Sequence, residues 1–569
     1  MRYHALACDY DGTLATHGRV DGATLAALDR LRASRRKLIL VTGRRLPDLM
    51  EVFPRLELFD RVVAENGAVL YQPSDRSERI LAEPPPEAFI AALGRRQVSP
   101  LAVGRVIVAT WEPQEAAVLD VIRELGLELQ VIFNKGAVMV LPSGVNKATG
   151  LDAALAELGL SRHNAVGVGD AENDHAFLAR CECSVAVANA LPALQQRADL
   201  VTAGERGAGV AELIDRLLEC DLAELEPRLA RHEIPLGTAG REDVRLPPYG
   251  LNVLLAGTSG SGKSTFATGF LERLAERDYQ FCIIDPEGDY DGFEDAVVLG
   301  DASRAPLVRE AIELLDRPGR SCAVNLLAVG MEDRPAFFDE LFASLLELRA
   351  PTGRPHWIVI DETHHLLPSS WTPTPRTPAE RPHGLMLITV HPDQVARVVL
   401  SSVDLIVAIG EAPAATLGTF AETLGEPAPP VAAEPLAAGE AIAWWRRPAR
   451  DPFRFRSLPP RAERRRHLRK YAEGELGQDK SFYFRGPGGK LNLRAQNLQL
   501  FLQLADGVDD ETWTHHLRRG DYSRWFREAI KDEPLADEVQ QIEEAAGVSA
   551  RESRARLRER VEQRYSGSA

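Results

Sequence analysis

The sequence predicts an α/β protein with two parallel-sheet domains in series and a small, mainly helical C-terminal domain. Three observations predict it. A short apolar run at 5–8 ends in Asp9 and Asp11, and apolar runs then alternate with helical patterns to about residue 217. A second apolar run, 251–256, leads into Gly257-Thr258-Ser259-Gly260-Ser261-Gly262-Lys263-Ser264-Thr265 and a further alternation. Beyond 481 the periodicity is helical, with Trp513, Trp525 and Phe526 as core candidates. Strands alternating with helices build parallel sheets covered on both faces, and ligands of such sheets sit beyond the carboxyl ends of the strands.

Composition narrows the class. A chain of 569 residues has room for three or four domains, and 45% hydrophobic with 26% charged residues is a globular balance. The six cysteines (8, 181, 183, 220, 282, 322) contain no C-x-x-C pair, so neither a disulfide framework nor a zinc site is signalled and a reducing cytoplasm is expected. No apolar run approaches the roughly 20 residues of a membrane span, so no membrane partner is expected. A net charge of -16 argues against nonspecific nucleic-acid binding by the whole surface, while leaving room for a local basic patch.

In the first domain, 1–217, Asp9 and Asp11 leave a buried strand one residue apart, where both can meet a cation and a phosphate. A helix follows at 21–33, then a strand at 37–41 ending in Thr42-Gly43-Arg44, and a strand at 61–64 closed by Glu65-Asn66-Gly67. Residues of about 80–142 read as an α+β insert, with helices at 86–94 and 115–125 and strands at 104–110, 127–133 and 137–141. The chain returns with Asn146-Lys147, a helix to 158, and a strand at 164–168 that ends in Gly169-Asp170-Ala171-Glu172-Asn173-Asp174.

D-x-D-G-T at 9–13, Thr42, Lys147 and G-D-x-x-N-D at 169–174, in that order, resemble the haloacid dehalogenase-like (HAD) phosphohydrolases. The insert is similar to the type 2 cap of that family's sugar-phosphate phosphatases. The resemblance implies a Rossmann-like core and a small phosphate monoester as substrate. It implies that Asp9 attacks phosphorus to give an aspartyl phosphate, and that Asp11 protonates the leaving group and later activates water. Mg2+ would be held by Asp9, the backbone carbonyl of Asp11 and Asp170, with Asp174 supporting that shell. Thr42 and Lys147 would bind phosphate oxygens. Glu172 and Asn173 are expected to be structural, and His175 to cap or pack.

Residues 218–248 read as a charged, proline-bearing linker. In the domain that follows, 249–445, the glycine-rich loop matches G-x-x-x-x-G-K-[ST] between a strand and a helix. Gly257, Gly260 and Gly262 let the backbone wrap the phosphates of ATP, Lys263 reaches the terminal phosphates, Ser264 ligates Mg2+, and Thr265 continues the loop into the helix. A buried strand at 356–360 ends in Asp361 and Glu362. Asp361 is expected to hold Mg2+ through water and Glu362 to polarise the attacking water. Further strands are expected at 281–284, 321–326, 385–390 and 404–409.

Ile284-Asp285-Pro286-Glu287-Gly288-Asp289-Tyr290 and Asp361-Glu362-Thr363-His364-His365 resemble the HerA/FtsK-like motor ATPases. The resemblance implies a RecA-like P-loop domain, a homo-oligomeric ring and DNA as partner. Where that family carries a glutamine after a strand-end threonine, this chain has Thr389-Val390-His391, so Thr389 or His391 would take its role.

Residues 446–480 read as a basic linker. Eleven Arg and Lys stand against Asp451 and Glu463 in 446–470, near Trp444, Trp445, Phe453 and Phe455. Such a run either grips DNA by phosphate contact and base stacking or forms a solvated linker. The proline-rich stretch 368–382 is expected to be an exposed loop, and 427–435 a surface excursion. In the C-terminal domain, 481–569, helices are expected at 495–504, 510–517 and 550–564. Adjacent His515 and His516 lack the spacing that puts two ligands on one helical face, and are expected to pack.

Two functional readings follow. In the first, the protein is bifunctional, a Mg2+-dependent phosphomonoester hydrolase joined to an ATP-binding and ATP-hydrolysing P-loop domain. In the alternative it is a DNA-associated motor whose phosphatase acts on nucleic-acid ends or nucleotides.

Overall fold

The computed structural model describes residues 1–372, 382–431, 434–461, 481–530, 532–545 and 547–565. They form two compact units, Met1–Leu458 and Pro459–Ala569.

The first sheet of the larger unit is organised around β1 (Ala5–Asp9), whose five residues are all buried. β1 pairs in parallel with β2 (Lys37–Val41), which pairs with β3 (Arg61–Ala64). An antiparallel extension not anticipated from the sequence, β4 (Val69–Gln72) and β5 (Ser77–Ile80), closes that edge. The insert is an antiparallel sheet of β6 (Ala102–Val103), β7 (Val108–Trp111), β8 (Leu129–Asn134) and β9 (Ala137–Pro142), in the order β6-β7-β9-β8. Helices Glu87–Arg95 and Glu115–Leu125 bury Phe89, Leu93, Val118 and Val121 in the core of the insert.

The chain then adds β10 (Ala165–Gly169), β11 (Cys183–Ala186) and β12 (Leu200–Val201) on the other side of β1. Strand order therefore reverses at β1, which opens a crevice at its carboxyl end. The register Asp9↔Val41 and Cys8↔Val168 sets Asp9, Thr42 and Asp170 around that crevice.

The second sheet begins inside the stretch expected to be a linker. Residues 218–248 contain the end of helix Arg206–Cys220 and the hairpin of β13 (Ile234–Ala239) and β14 (Glu242–Leu246). Alternating Ile234, Leu236 and Leu246 are buried there, so prolines and charges that read as a linker mark the exposed face and end of a sheet edge. The central strands are β15 (Asn252–Gly257), β16 (Phe281–Asp285), β17 (Val297–Leu299), β18 (Cys322–Asn325), β19 (Trp357–Ile360), β20 (Leu385–Thr389) and β21 (Leu405–Ile409).

β22 (Glu440–Trp445) and β23 (Phe453–Ser457) return antiparallel, giving the order β14-β13-β23-β22-β21-β15-β20-β19-β16-β18-β17. The first part of the expected basic linker is thus strand. Phe455 is buried, and Trp444, Trp445 and Phe453 pack against the two cores, which commits these aromatics to the fold rather than to bases. Residues 462–480 of that stretch, and most of 368–382, lie outside the described residues.

The two sheets adjoin through the amino ends of their strands. Arg354, fully buried just before β19, donates to the carbonyls of Gly159, Leu315 and Asp316 and to Gln280 Oε1. His163, just before β10, stacks on Tyr279, just before β16, with ring centroids 3.7 Å apart.

The smaller unit joins a hairpin of β24 (Phe482–Phe484) and β25 (Leu493–Ala495) to helices Leu498–Gly507, Asp510–Arg518, Asp521–Glu528, Glu533–Glu544 and Ala550–Tyr565. Phe482, Phe484, Phe501, Trp513, Tyr522 and Phe526 fill its core. His516 is buried with Nδ1 2.9 Å from Asp521.

Candidate active sites

The acidic crevice is built by three strand ends and one helix start. Gly12, at φ +89, turns the chain back over Asp170, and a Cβ there would stand 2.3 Å from Asp170 Oδ2. Glycine is therefore required. Lys147 opens helix Lys147–Glu157, whose start is fixed by the Asn146–Thr149 capping box. Its buried ammonium donates to Asp9 Oδ1 at 2.5 Å and to Asp174 Oδ1 at 2.6 Å. The other Asp174 oxygen accepts from the amides of Asp170 (2.8 Å) and Ala171 (2.9 Å), so Asp174 shapes the loop and orients Lys147. Thr42 is buried at the end of β2 and its Oγ1 accepts from the Arg44 amide at 3.1 Å.

Arg44 grips both oxygens of Asp11, at 2.6 and 2.7 Å. From the insert, Lys135 Nζ reaches the Asp11 carbonyl at 2.8 Å and Asp170 Oδ2 at 2.7 Å. Carboxylate oxygens of Asp9, Asp170 and Asp174 lie within 4.8 Å of one another. One ammonium bridging the Asp11 carbonyl and Asp170 shows that these oxygens converge on a single cation position. An oxygen-only donor set of this kind suits Mg2+.

In the second sheet, β20 separates β15 from β19, and their carboxyl ends bring the glycine-rich loop, Asp361, Glu362 and Thr389 to one edge. Gly257 closes β15, where a Cβ would meet the Ile409 carbonyl at 2.2 Å, and Gly260 and Gly262 take φ +74 and +96. Lys263 Nζ is folded onto the carbonyls of Gly257 (3.1 Å) and Thr258 (3.0 Å). The Ser264 hydroxyl donates to Asp289 at 3.0 Å, and Thr265 follows in helix Lys263–Ala275. Asp285 accepts three backbone amides, from Glu287, Asp289 and Tyr290, which presents Asp289 to the loop.

Glu362 sits in the left-handed region at φ +40, and its Oε2 is buried without a hydrogen-bond partner, 3.3 Å from His364 Nδ1 but not aligned with it. Thr389 Oγ1 contacts that same nitrogen at 3.2 Å.

The family model for haloacid dehalogenase-like hydrolases matches residues 6–89 and 114–214, and that for an AAA ATPase domain matches 243–390. The phosphoglycolate phosphatase of Methanothermobacter thermautotrophicus is 30% identical over 225 residues, 38% of this chain and 98% of the relative. That of Halorubrum lacusprofundi is 33% identical over 220 residues, 37% of this chain and 95% of the relative. The chain belongs to the haloacid dehalogenase-like hydrolases. It joins a HAD-type phosphatase to an AAA ATPase domain. Among solved structures, a haloacid dehalogenase-like hydrolase from Bacteroides thetaiotaomicron is 18% identical with a TM-score of 0.34, covering 38% of this chain and 99% of that one.

In the phosphatase domain, burial and then the neighbouring Asp174 push the Asp9 carboxyl up to about 7, against the pull of Lys147. Burial also raises Asp170, opposed by Lys135. Burial works against the Lys147 ammonium, but Asp174 and Asp9 outweigh it and its pKa is raised. In the ATPase domain burial pushes Asp361 up to about 8, raises Glu362 and lowers Lys263. In both sites burial is the largest cause and disfavours the charged forms of the carboxylates.

The structure brings Asp9, Asp11, Thr42, Lys147, Asp170 and Asp174 to one crevice, and Gly257, Gly260, Gly262, Lys263, Ser264, Asp361 and Glu362 to another. Sequence reasoning missed Arg44, Lys135, Asp289 and His364. Arg44 follows Thr42 by two residues and Asp289 and His364 lie within noted motifs, so proximity was the available signal. Nothing local marked Lys135.

Proposed function

We propose that residues 1–217 hydrolyse a small phosphate monoester through an aspartyl phosphate on Asp9, and that the P-loop domain binds and hydrolyses ATP. The observation that carries the first part is the buried Asp9–Lys147–Asp174 constellation beside Asp170. Asp9 is held by Lys147 with one oxygen free to attack phosphorus. Asp11 gives a proton to the departing ester oxygen, then takes one from the water that attacks the aspartyl phosphate, releasing phosphate and restoring Asp9. Arg44 fixes Asp11, and one of its two bonds opens when Asp11 turns to the leaving oxygen. Thr42 and Lys147 would donate to phosphate oxygens. Asp9, Asp170 and the Asp11 carbonyl would hold Mg2+, which when bound supplies positive charge to the phosphate oxygens. The names of the relatives support 2-phosphoglycolate as the first ester to test.

In the P-loop domain, Lys263 would leave the loop carbonyls for the phosphates of ATP, Ser264 and Asp361 would hold Mg2+, and Glu362 would orient water. Resemblance to HerA-like motors rests on the motifs at 284–290 and 361–365, and a ring or a DNA partner is an extension of it. Asp9→Asn should abolish phosphate release from monoesters and leave ATP turnover intact, whereas Lys263→Ala should do the reverse. Malachite-green phosphate release with each substrate measures both, and retained ester hydrolysis by Asp9→Asn would remove the nucleophile assignment.

A further inference from the structure

The turn at the tip of the cap hairpin carries a cation into the phosphatase site. β8 and β9 are joined by Lys135 and Gly136, at φ +49 and +83. Positive φ at both turn positions suits the twist of a two-residue hairpin, but at the first it favours Asn, Asp or Gly. A lysine there adopts a disfavoured backbone, which marks a position held by its surroundings. β8 packs against the Glu172–Asp174 turn of the core, so the hairpin tip lies over the acidic loop. Lys135 keeps its stem partly in solvent, with 45% of the side chain exposed, while its ammonium sits on the Asp11 carbonyl and Asp170.

Those two oxygens are the ones assigned to Mg2+. An ammonium and a divalent ion cannot both occupy them, so Mg2+ bound there would displace Lys135 Nζ. Where it goes follows from the reaction's geometry. An in-line displacement by Asp9 would put the departing ester oxygen on the side of phosphorus away from Asp9. Lys135, on a hairpin packed over the acidic loop, would then have the leaving side of the ester within its reach. Asn173, on the turn beneath the hairpin, also keeps a buried side-chain oxygen with no hydrogen-bond partner, so the polar groups there are incomplete without a ligand.

We propose that Lys135 is the specificity-determining residue of the phosphatase, pairing with a second anionic group on the leaving side of the substrate. Phosphate monoesters carrying a carboxylate are then preferred over neutral ones. Without such a substrate, Lys135 competes with Mg2+. The proposal rests on the phosphatase reading of residues 1–217.

The test compares wild type, Lys135→Met and Lys135→Arg in the full chain. Substrates are 2-phosphoglycolate and its neutral near-isostere, 2-hydroxyethyl phosphate, and Mg2+ binding without substrate is measured by calorimetry. Lys135→Met should lower kcat/KM for 2-phosphoglycolate by about 10²-fold, the scale of losing one partner of a charge pair. It should leave 2-hydroxyethyl phosphate within about threefold and tighten Mg2+ binding, and Lys135→Arg should restore part of the preference. Equal losses on both esters, or tighter Mg2+ binding with the preference unchanged, would overturn the proposal. A wild-type chain that hydrolyses neither ester would overturn the phosphatase reading with it, whereas hydrolysis of both without preference would remove this inference alone.

Discussion

At the residue scale, one ammonium decides the phosphatase site. Lys147 is 1% exposed and sits between two buried carboxylates, and the three groups tolerate burial only together. Lys147→Met should leave Asp9 and Asp174 without their shared counter-charge. We expect ester hydrolysis to fall at least ~10²-fold and stability to fall by about 3 kcal/mol. Chemical denaturation with nucleotide binding as the control for folding checks both. Unchanged stability would mean that the carboxylates are neutral in the native protein. Glu362 presents a comparable case in the ATPase domain, a strained residue whose buried oxygen lacks a partner. Strain of this kind belongs at sites where a ligand completes the set.

At the element scale, one core carboxylate takes three backbone amides of the insert. Glu65, buried and at φ +51, accepts the amides of Arg105 (2.8 Å), Val106 (2.8 Å) and Ile107 (2.9 Å), all in the cap. Charge-assisted acceptance of three amides fixes the orientation in which the Lys135 hairpin covers the acidic loop. Glu65→Gln keeps the volume but offers one acceptor oxygen in place of two, leaving a buried amide unsatisfied at a cost of about 1–3 kcal/mol. The expected result is faster amide hydrogen exchange confined to the cap segment at 105–107 and a raised KM for the ester. Protection equal to wild type would show that the Glu65 contacts do not hold the insert in place. Gly104, whose added Cβ would fall 2.5 Å from Glu65 Oε1, is required by the same joint.

At the scale of the whole larger unit, the phosphatase and ATPase domains meet through buried polar groups. Glu182 gathers Arg2, His163, His232 and Tyr279. Burial opposes its charge, but His163, Arg2 and His232 hold its carboxyl well below the usual range. Burial pushes His232 down to about 4, and its Nε2 accepts from Arg231, which requires the neutral ring. The unfolded chain, with histidine near 6.5, binds more protons than the native one between pH 6.5 and 4. The contribution of His232 is thus complete above 6.5 and lost as pH falls toward 4. The stability of wild type relative to His232→Gln should decline over that window, by on the order of 3 kcal/mol at its acid end. Denaturant midpoints at several pH values measure it. A pH-independent difference would mean that the ring is charged in the native protein.

Much of this was legible locally. The strand-loop signatures at Asp9, Gly257–Ser264, Asp170 and Asp361 announce themselves because phosphate and cation chemistry needs particular residues at fixed short spacing. Alternation of strands and helices predicts parallel sheets for the same local reason. By contrast, a strand at a sheet edge carries only half an apolar pattern, so β13, β14 and β23 read as linker, and the aromatics near 453 read as either a nucleic-acid surface or part of a solvated linker. Lys135 and Glu65 reach their partners across a domain boundary, and turn residues do not say what they will cover. Local motifs suffice to say which chemistry the two parallel-sheet domains are equipped for, and are silent on the C-terminal one. Which cation of the insert enters the site, and that the two domains share an interface at the amino ends of their strands, emerge only in the folded chain, because contacts between residues far apart in the chain leave no periodic or local trace.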